Sequence, residues 1–178
     1  YGGGQPLVVC AGNSERGRDF AARNADMMFT NLRIDLDEVP GNTSALKELA
    51  AGYNRDIGVF SNVAVTCRPT KKEAEEYFQY YAVENADWVA AENRFVGRGI
   101  VKPGMTDEMH QAAQIRAAAG NGALPIVGDP DDVVAMMKRL SEGGISALAI
   151  GFTNYLEHFP YFRDEVLPRL VHEGLRTE

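Results

Sequence analysis

Short β-rich runs that alternate with amphipathic helical stretches predict an α/β fold built on a parallel sheet. Three observations carry that prediction. The runs LVVC, MMF, IGVFSNVAVTCR and ALAIGF recur along the chain. Stretches with apolar residues at helical spacing separate them. The passage PIVGDPDDVVAMMKRLSEGGISALAIGF then moves from a capped helix into an apolar strand in the order a parallel unit requires.

From the start, LVVC at 7 to 10 leads into AGNSERG and then RDFAARNAD, in which Phe20, Ala21 and Ala25 share a helical face. MMF at 27 to 29 is a short second strand, and NLRIDLDEVPGN reads as a long loop. Asn42 or Thr43 is placed to cap the helix SALKELAAGYN. Residues 57 to 68 are rich in β-branched side chains and read as a third strand ending before Pro69. Thr70 with Glu73 forms a capping box for KKEAEEYFQYYAVEN. Residues 86 to 124 are the least periodic; with GRGIVKPGMT, the helix-like DEMHQAAQIRAAA and the tight GNGA, they read as an insertion. Asp129 caps and Pro130 opens the next helix, with Val133, Val134, Met136, Met137 and Leu140 as its buried stripe. ALAIGF at 147 to 152 reads as a fully buried strand, and a last helix uses Phe159, Phe162, Val166, Leu167 and Leu170. Four such units in 178 residues amount to half of a (β/α)8 barrel, which takes about 250 residues. Pattern alone leaves barrel and open sheet as alternatives.

The composition, 45% hydrophobic and 24% charged, is that of one globular domain spanning residues 1 to 178. No run approaches the roughly 20 apolar residues of a membrane span, so no membrane association and a cytoplasmic place are expected. A net charge of -7 with scattered basic residues gives no footprint for nucleic acid. Cys10 and Cys67 lie in apolar runs and read as buried free thiols. His110, His158 and His172 are far apart and show no metal-ligand spacing; each reads as an exposed helical histidine, and no metal is expected. The sequence opens on Tyr1 and a glycine run, not on Met, which leads us to expect a fragment.

In parallel α/β folds, ligands bind beyond the carboxyl ends of the strands. AGNSERG lies there. Gly12 lets the backbone turn closely and Asn13 tolerates left-handed geometry. The Ser14 hydroxyl, with the amides that open the following helix, can hold a phosphate dianion. The alternative is an ordinary βα loop in which Ser14 only caps the helix. There is no Walker lysine and no complete GxGxxG.

PLVVCAGNSERGRDFAARNADMMF resembles the fifth strand, loop and helix of the luciferase-like flavin monooxygenases, with their A-G-x-S-x-x-G pattern and A-x-x-A-D run. AAGNGALPIVGDPDDVVAMMKRLSEGGISALAIGFTNYLEHFPYFRDEVLPRL is similar to the family's G-x-P-x-x-V helix, eighth strand and terminal F-x-x-x-V-L-P-x-L. The resemblance implies the carboxyl-terminal half of a luciferase-like (β/α)8 barrel, nearest to the branch acting on sulfones, alkanesulfonates and pyrimidines. It implies reduced FMN from a partner flavin reductase, used with dioxygen to oxygenate a small organic substrate, with some members using a deazaflavin instead. By motif, Ser14 would bind the FMN phosphate, with Gly12 and Asn13 contributing through the backbone. Asn154 and Tyr155 follow the eighth strand, where they could line the substrate pocket or simply cap and pack the last helix. No catalytic residue is identified, because the flavin carries the reaction. The family's amino-terminal half is absent, so a homo-oligomer or a separate amino-terminal half is expected as partner. Two other readings stand beside this one: a non-catalytic flavin-binding or assembly half-barrel that pairs with another chain, and an unrelated phosphate-binding α/β protein.

Overall fold

The computed structural model describes residues 4–32, 36–97 and 106–177. The opening residues 1–3, the middle of the predicted long loop at 33–35 and most of GRGIVKPGMT lie outside them. In chain order the elements are β1 (Val9–Cys10), α1 (Glu15–Asn24), β2 (Met27–Phe29), a 3-10 turn (Leu36–Glu38), α2 (Val39–Ala51) and β3 (Gly58–Cys67). They continue with α3 (Lys71–Gln79), a π-turn (Tyr80–Glu84), α4 (Trp88–Gly97), α5 (Asp107–Gly120), β4 (Leu124–Gly128), α6 (Pro130–Glu142), β5 (Ala147–Gly151), α7 (Tyr155–Glu165) and α8 (Leu167–His172). Parallel strands thus alternate with helices, as the sequence predicts. The chain divides into two compact units, Tyr1–Asn62 with Arg139–Ala149 and Val63–Lys138 with Ile150–Glu178.

In the first unit β1, β2 and the opening of β3 pair in parallel, Val9 opposite Met27 and Met27 opposite Gly58. The Ser146 amide donates to the Val59 carbonyl at 2.7 Å where the chain enters β5. The core is built from small and branched side chains: Ala21, Ala22, Ala25, Met28, Leu46, Ala50 and Val59 are all buried. Alanines on α1 let that helix lie close to α2, where a larger side chain would hold the backbones apart. Thr43 is buried within α2, and its hydroxyl donates to the Gly143 carbonyl at 2.6 Å. Gly144 lies against it at a φ of +90°, and a Cβ there would sit 2.7 Å from Thr43 Oγ1.

In the second unit the rest of β3 pairs in parallel with β4, from Val63 opposite Leu124 to Cys67 opposite Gly128. Thr70 and Glu73 close the predicted capping box at the start of α3. Asp129 Oδ1 accepts from the amides of Asp131 and Asp132, the predicted cap of α6. α5 ends at Asn121, which takes the left-handed conformation at a φ of 58°. Gly120 packs so closely on β3 that a Cβ would fall 2.4 Å from that of Ala64.

Several details differ from the sequence reading, among them Cys10, read as buried, which is only half-buried. A fifth strand, β4, forms where only the insertion and a helix cap were expected. α2 starts at Val39 with Pro40 in its first turn, so Thr43 lies inside the helix, not at its cap. β5 is not fully buried, since Ala147 and Ala149 are exposed. The last helix breaks at Val166 into α7 and α8, with Pro168 in the first turn of α8, where its missing amide hydrogen costs nothing, while Pro160 lies inside α7.

Gly144→Ala is expected to cost about 1 to 3 kcal/mol, since a side chain at this φ is strained and meets Thr43. Urea denaturation measures this, and an unchanged midpoint would show that the contact yields freely.

Candidate functional site

The AGNSERG loop joins β1 to α1 in the first unit. Ser14 has extended backbone, and its Oγ accepts from the Gly17 amide at 3.1 Å, which makes it the N-cap of α1. The hydroxyl hydrogen is not used in that bond and remains able to donate. The amides of Glu15 and Arg16 belong to the first helical turn, where no intrahelical carbonyl is in reach. Capping and anion binding therefore use different atoms of the same turn.

Two glycines shape the loop. A Cβ on Gly12 would lie 2.9 Å from the Gly17 Cα, and one on Gly17 would lie 2.6 Å from the Gly12 oxygen. Backbone thus packs directly on backbone, drawing the loop down onto the first turn of α1. Gly17 was not singled out as a site residue from sequence, although the A-G-x-S-x-x-G spacing contains it. Asn13 and Ser14 are exposed, and Asn13 and Arg18 line a cleft of about 340 Å³ with Thr30, Asn31 and Asn42. Arg18 Nη2 donates to the Asn42 carbonyl at 2.9 Å, which holds one cation at this cleft. Gly12, Asn13 and Ser14 are consequently brought together as one loop.

Asn154 and Tyr155 belong to the second unit. The Asn154 side chain accepts from the amides of Leu156 and Glu157 and caps α7. The Tyr155 hydroxyl donates to the Ile150 carbonyl at 3.3 Å and its ring meets Phe152 edge-on. Both side chains are engaged in holding α7, and Tyr155 stays 57% exposed.

The second unit also holds a cluster that sequence reasoning missed. Arg68 follows β3, and its Nη2 lies 3.0 Å from His158 Nε2 on α7. Its Nη1 donates to the Cys67 carbonyl at 2.9 Å, and its guanidinium stands 4.0 Å over the Tyr77 ring. Tyr77 meets His158 edge-on and lies beside Tyr81, whose hydroxyl is 3.1 Å from Thr66 Oγ1. Burial pushes the Tyr81 hydroxyl up, against hydrogen bonds with Thr66 and Thr153. His158 is buried, not solvent-exposed as read from the sequence, because α7 turns it inward beside Arg68. The only sequence signal was its position one turn after Asn154. Among the described residues, no three His, Cys, Asp or Glu side chains converge as a metal site, and no helix is long and apolar enough to cross a membrane.

Burial, and after it the Arg68 charge, hold His158 below the ordinary imidazole value, with Glu157 acting the other way. The unfolded chain therefore takes up the proton more readily. This cost is absent above about pH 6.5, the ordinary imidazole value, and grows as pH falls through the lower folded value. The melting temperature of the protein should drop from pH 7.5 to 5, and that of His158→Gln should drop less. Parallel curves would show that His158 does not set this dependence.

The sequence pattern of the family described as luciferase-like monooxygenase matches residues 2–147. The chain is 26% identical to the pyrimidine monooxygenase RutA of Allorhizobium ampelinum over 90% of its own length and 46% of the relative's. It is 24% identical to the FMNH2-dependent dimethylsulfone monooxygenase of Pseudomonas fluorescens, over 96% of this chain and 47% of that one. The chain thus spans about half the length of the curated relatives it matches. The crystal structure of DmoA from Hyphomicrobium sulfonivorans superposes with a TM-score of 0.79 at 21% identity, covering 97% of this chain and 42% of that one. Likeness at that level gives the fold, that of about half a luciferase-like barrel.

Proposed function

The chain belongs to the luciferase-like monooxygenase family, and from that premise we propose that it is the flavin-holding half of a monooxygenase. The enzyme uses reduced FMN and dioxygen to oxygenate a small organic substrate of the sulfone, sulfonate or pyrimidine kind. The observation that carries this reading is the Ser14 loop. Its hydroxyl hydrogen is not used in the cap, two first-turn amides have no intrahelical carbonyl in reach, and Gly12 and Gly17 meet backbone to backbone. The residues present fit a phosphate. FMN is preferred to a deazaflavin because the Pseudomonas relative carries FMNH2 in its name.

When bound, reduced FMN supplies the electrons and the activation of dioxygen. Ser14 and the amides of Glu15 and Arg16 hold the phosphate, and Gly12 and Asn13 shape the loop that receives it. Arg18 adds a positive charge at the cleft, which Glu38 also lines. Asn154 and Tyr155, which follow β5, are proposed to line the substrate pocket, and the exposure of Tyr155 leaves room for that role beside its packing on α7. A flavin reductase supplies the cofactor, and the cytoplasm is the working compartment, in keeping with two free cysteines.

A second half, or a second copy of the chain, completes the barrel. Leu7, Val8 and Val9 on the β1 side are 64%, 45% and 45% exposed, apolar surface suited to a partner strand. The same surface fits the non-catalytic pairing reading, and turnover separates the two.

Ser14→Ala is expected to lose about 1.5 to 3 kcal/mol of FMN affinity, the worth of one charge-assisted hydrogen bond. Titration by flavin fluorescence reads this, and equal affinity in the variant would remove Ser14 from the phosphate site. Given reduced FMN and candidate sulfones, the chain alone should form little product per flavin oxidised, because half a barrel leaves the ring open to water. Adding the complementary half should restore the yield. A yield that stays at background with that half present would favour the non-catalytic reading.

A further inference from the structure

We propose that Arg68 is the centre of a binding site for a small oxyanion, the sulfonate or carboxylate group of an organic acid, at the carboxyl end of β3. The argument uses only the second unit and does not depend on where flavin binds.

Three neighbours fix the guanidinium. The Cys67 carbonyl accepts from Nη1 at 2.9 Å, His158 Nε2 faces Nη2 at 3.0 Å, and the Tyr77 ring lies beneath the plane at 4.0 Å. None of the three carries a negative charge. For Nε2 to accept from Arg68 the imidazole must be neutral, and burial together with the guanidinium favours that form. Arg23, Arg139, Arg163 and Arg169 each hold a carboxylate within 3.1 Å. Around Arg68, among the described residues, no carboxylate oxygen comes within 4.0 Å; the nearby Glu157 is instead 3.9 Å from His158. The full positive charge of Arg68 is thus held in one orientation with no counterion.

A guanidinium has five N–H groups in a planar fork, and two are used here. The remaining ones match the paired oxygens of a carboxylate or sulfonate, which take two parallel hydrogen bonds from such a fork. Because carbonyl, imidazole and ring already hold the side chain, little rotamer freedom remains to be lost on binding. The location agrees with the chemistry, since the carboxyl ends of parallel strands are where these folds place ligand groups. Stabilising the fold alone would be served as well by a carboxylate partner, or by an uncharged side chain on Tyr77.

The test titrates methanesulfonate and acetate into the protein while following the Arg68 Nε–H signal in nitrogen-15 NMR, with chloride as the spherical comparison anion. Saturable shifts with both oxyanions, and none with chloride at equal ionic strength, are expected. Binding, followed through the backbone amides of 67 to 70, should disappear in Arg68→Gln and weaken about tenfold in Arg68→Lys, which keeps the charge but not the fork. Arg23→Gln, which removes an exposed arginine of the other unit, should bind both anions as the parent does. If Arg68→Gln does not fold, judged by circular dichroism, Arg68→Lys decides. Shifts that chloride reproduces, that fail to saturate, or that persist undiminished in the Arg68 variants overturn the proposal.

Discussion

Backbone amides and carbonyls along β3 must find partners out of water, since Val59, Ser61 and residues 63 to 67 are buried. The opening of the strand satisfies them with β2 and its later half with β4. At ten residues the strand is longer than the about five or six residues of an average one. Gly120 follows from the same demand, because α5 must clear Ala64 for β4 to reach its register. Thr66 lies within the paired stretch 63 to 67, and Arg68 follows it directly, its amide donating to the Gly128 carbonyl at 3.2 Å.

Elements set by local chemistry were legible in the sequence. Thr70 with Glu73, and Asp129 before Pro130, announce helix starts through bonds spanning two or three residues, and both form. β4 was hidden because Pro125 lies within it and denies the ladder a donor, so LPIVG reads as loop. α2 was read too late because Pro40 and Gly41 look like a turn; in a first turn the missing proline hydrogen costs nothing. ALAIGF shows the limit of apolarity as a guide, since a run of small apolar residues says nothing about what covers each face.

The candidate site divides along the same line. Gly12, Ser14 and Gly17 lie within six residues, so their arrangement can be read from spacing, and the structure adds the reason for both glycines. Arg68 and His158 are 90 positions apart and meet only through the fold. No periodicity relates them. His158 looked like one more histidine on a helix because nothing local says which face of α7 is covered. Tyr77 likewise reads as one aromatic among several in KKEAEEYFQYY until Arg68 is seen above its ring.

Cys67 closes β3, and burial, with the Asp129 charge adding to it, pushes its thiol up to about 12. At neutral pH only about one such thiol in 10⁵ is ionised, and it is the thiolate that peroxide attacks. An ordinary exposed cysteine is open to stepwise oxidation to sulfenic and sulfinic acid. Closing the strand with a buried sulfur gives the packing of a small apolar residue while keeping the reactive thiolate scarce. The strand end that leads into Arg68 is thus closed by a thiol that is slow to oxidise.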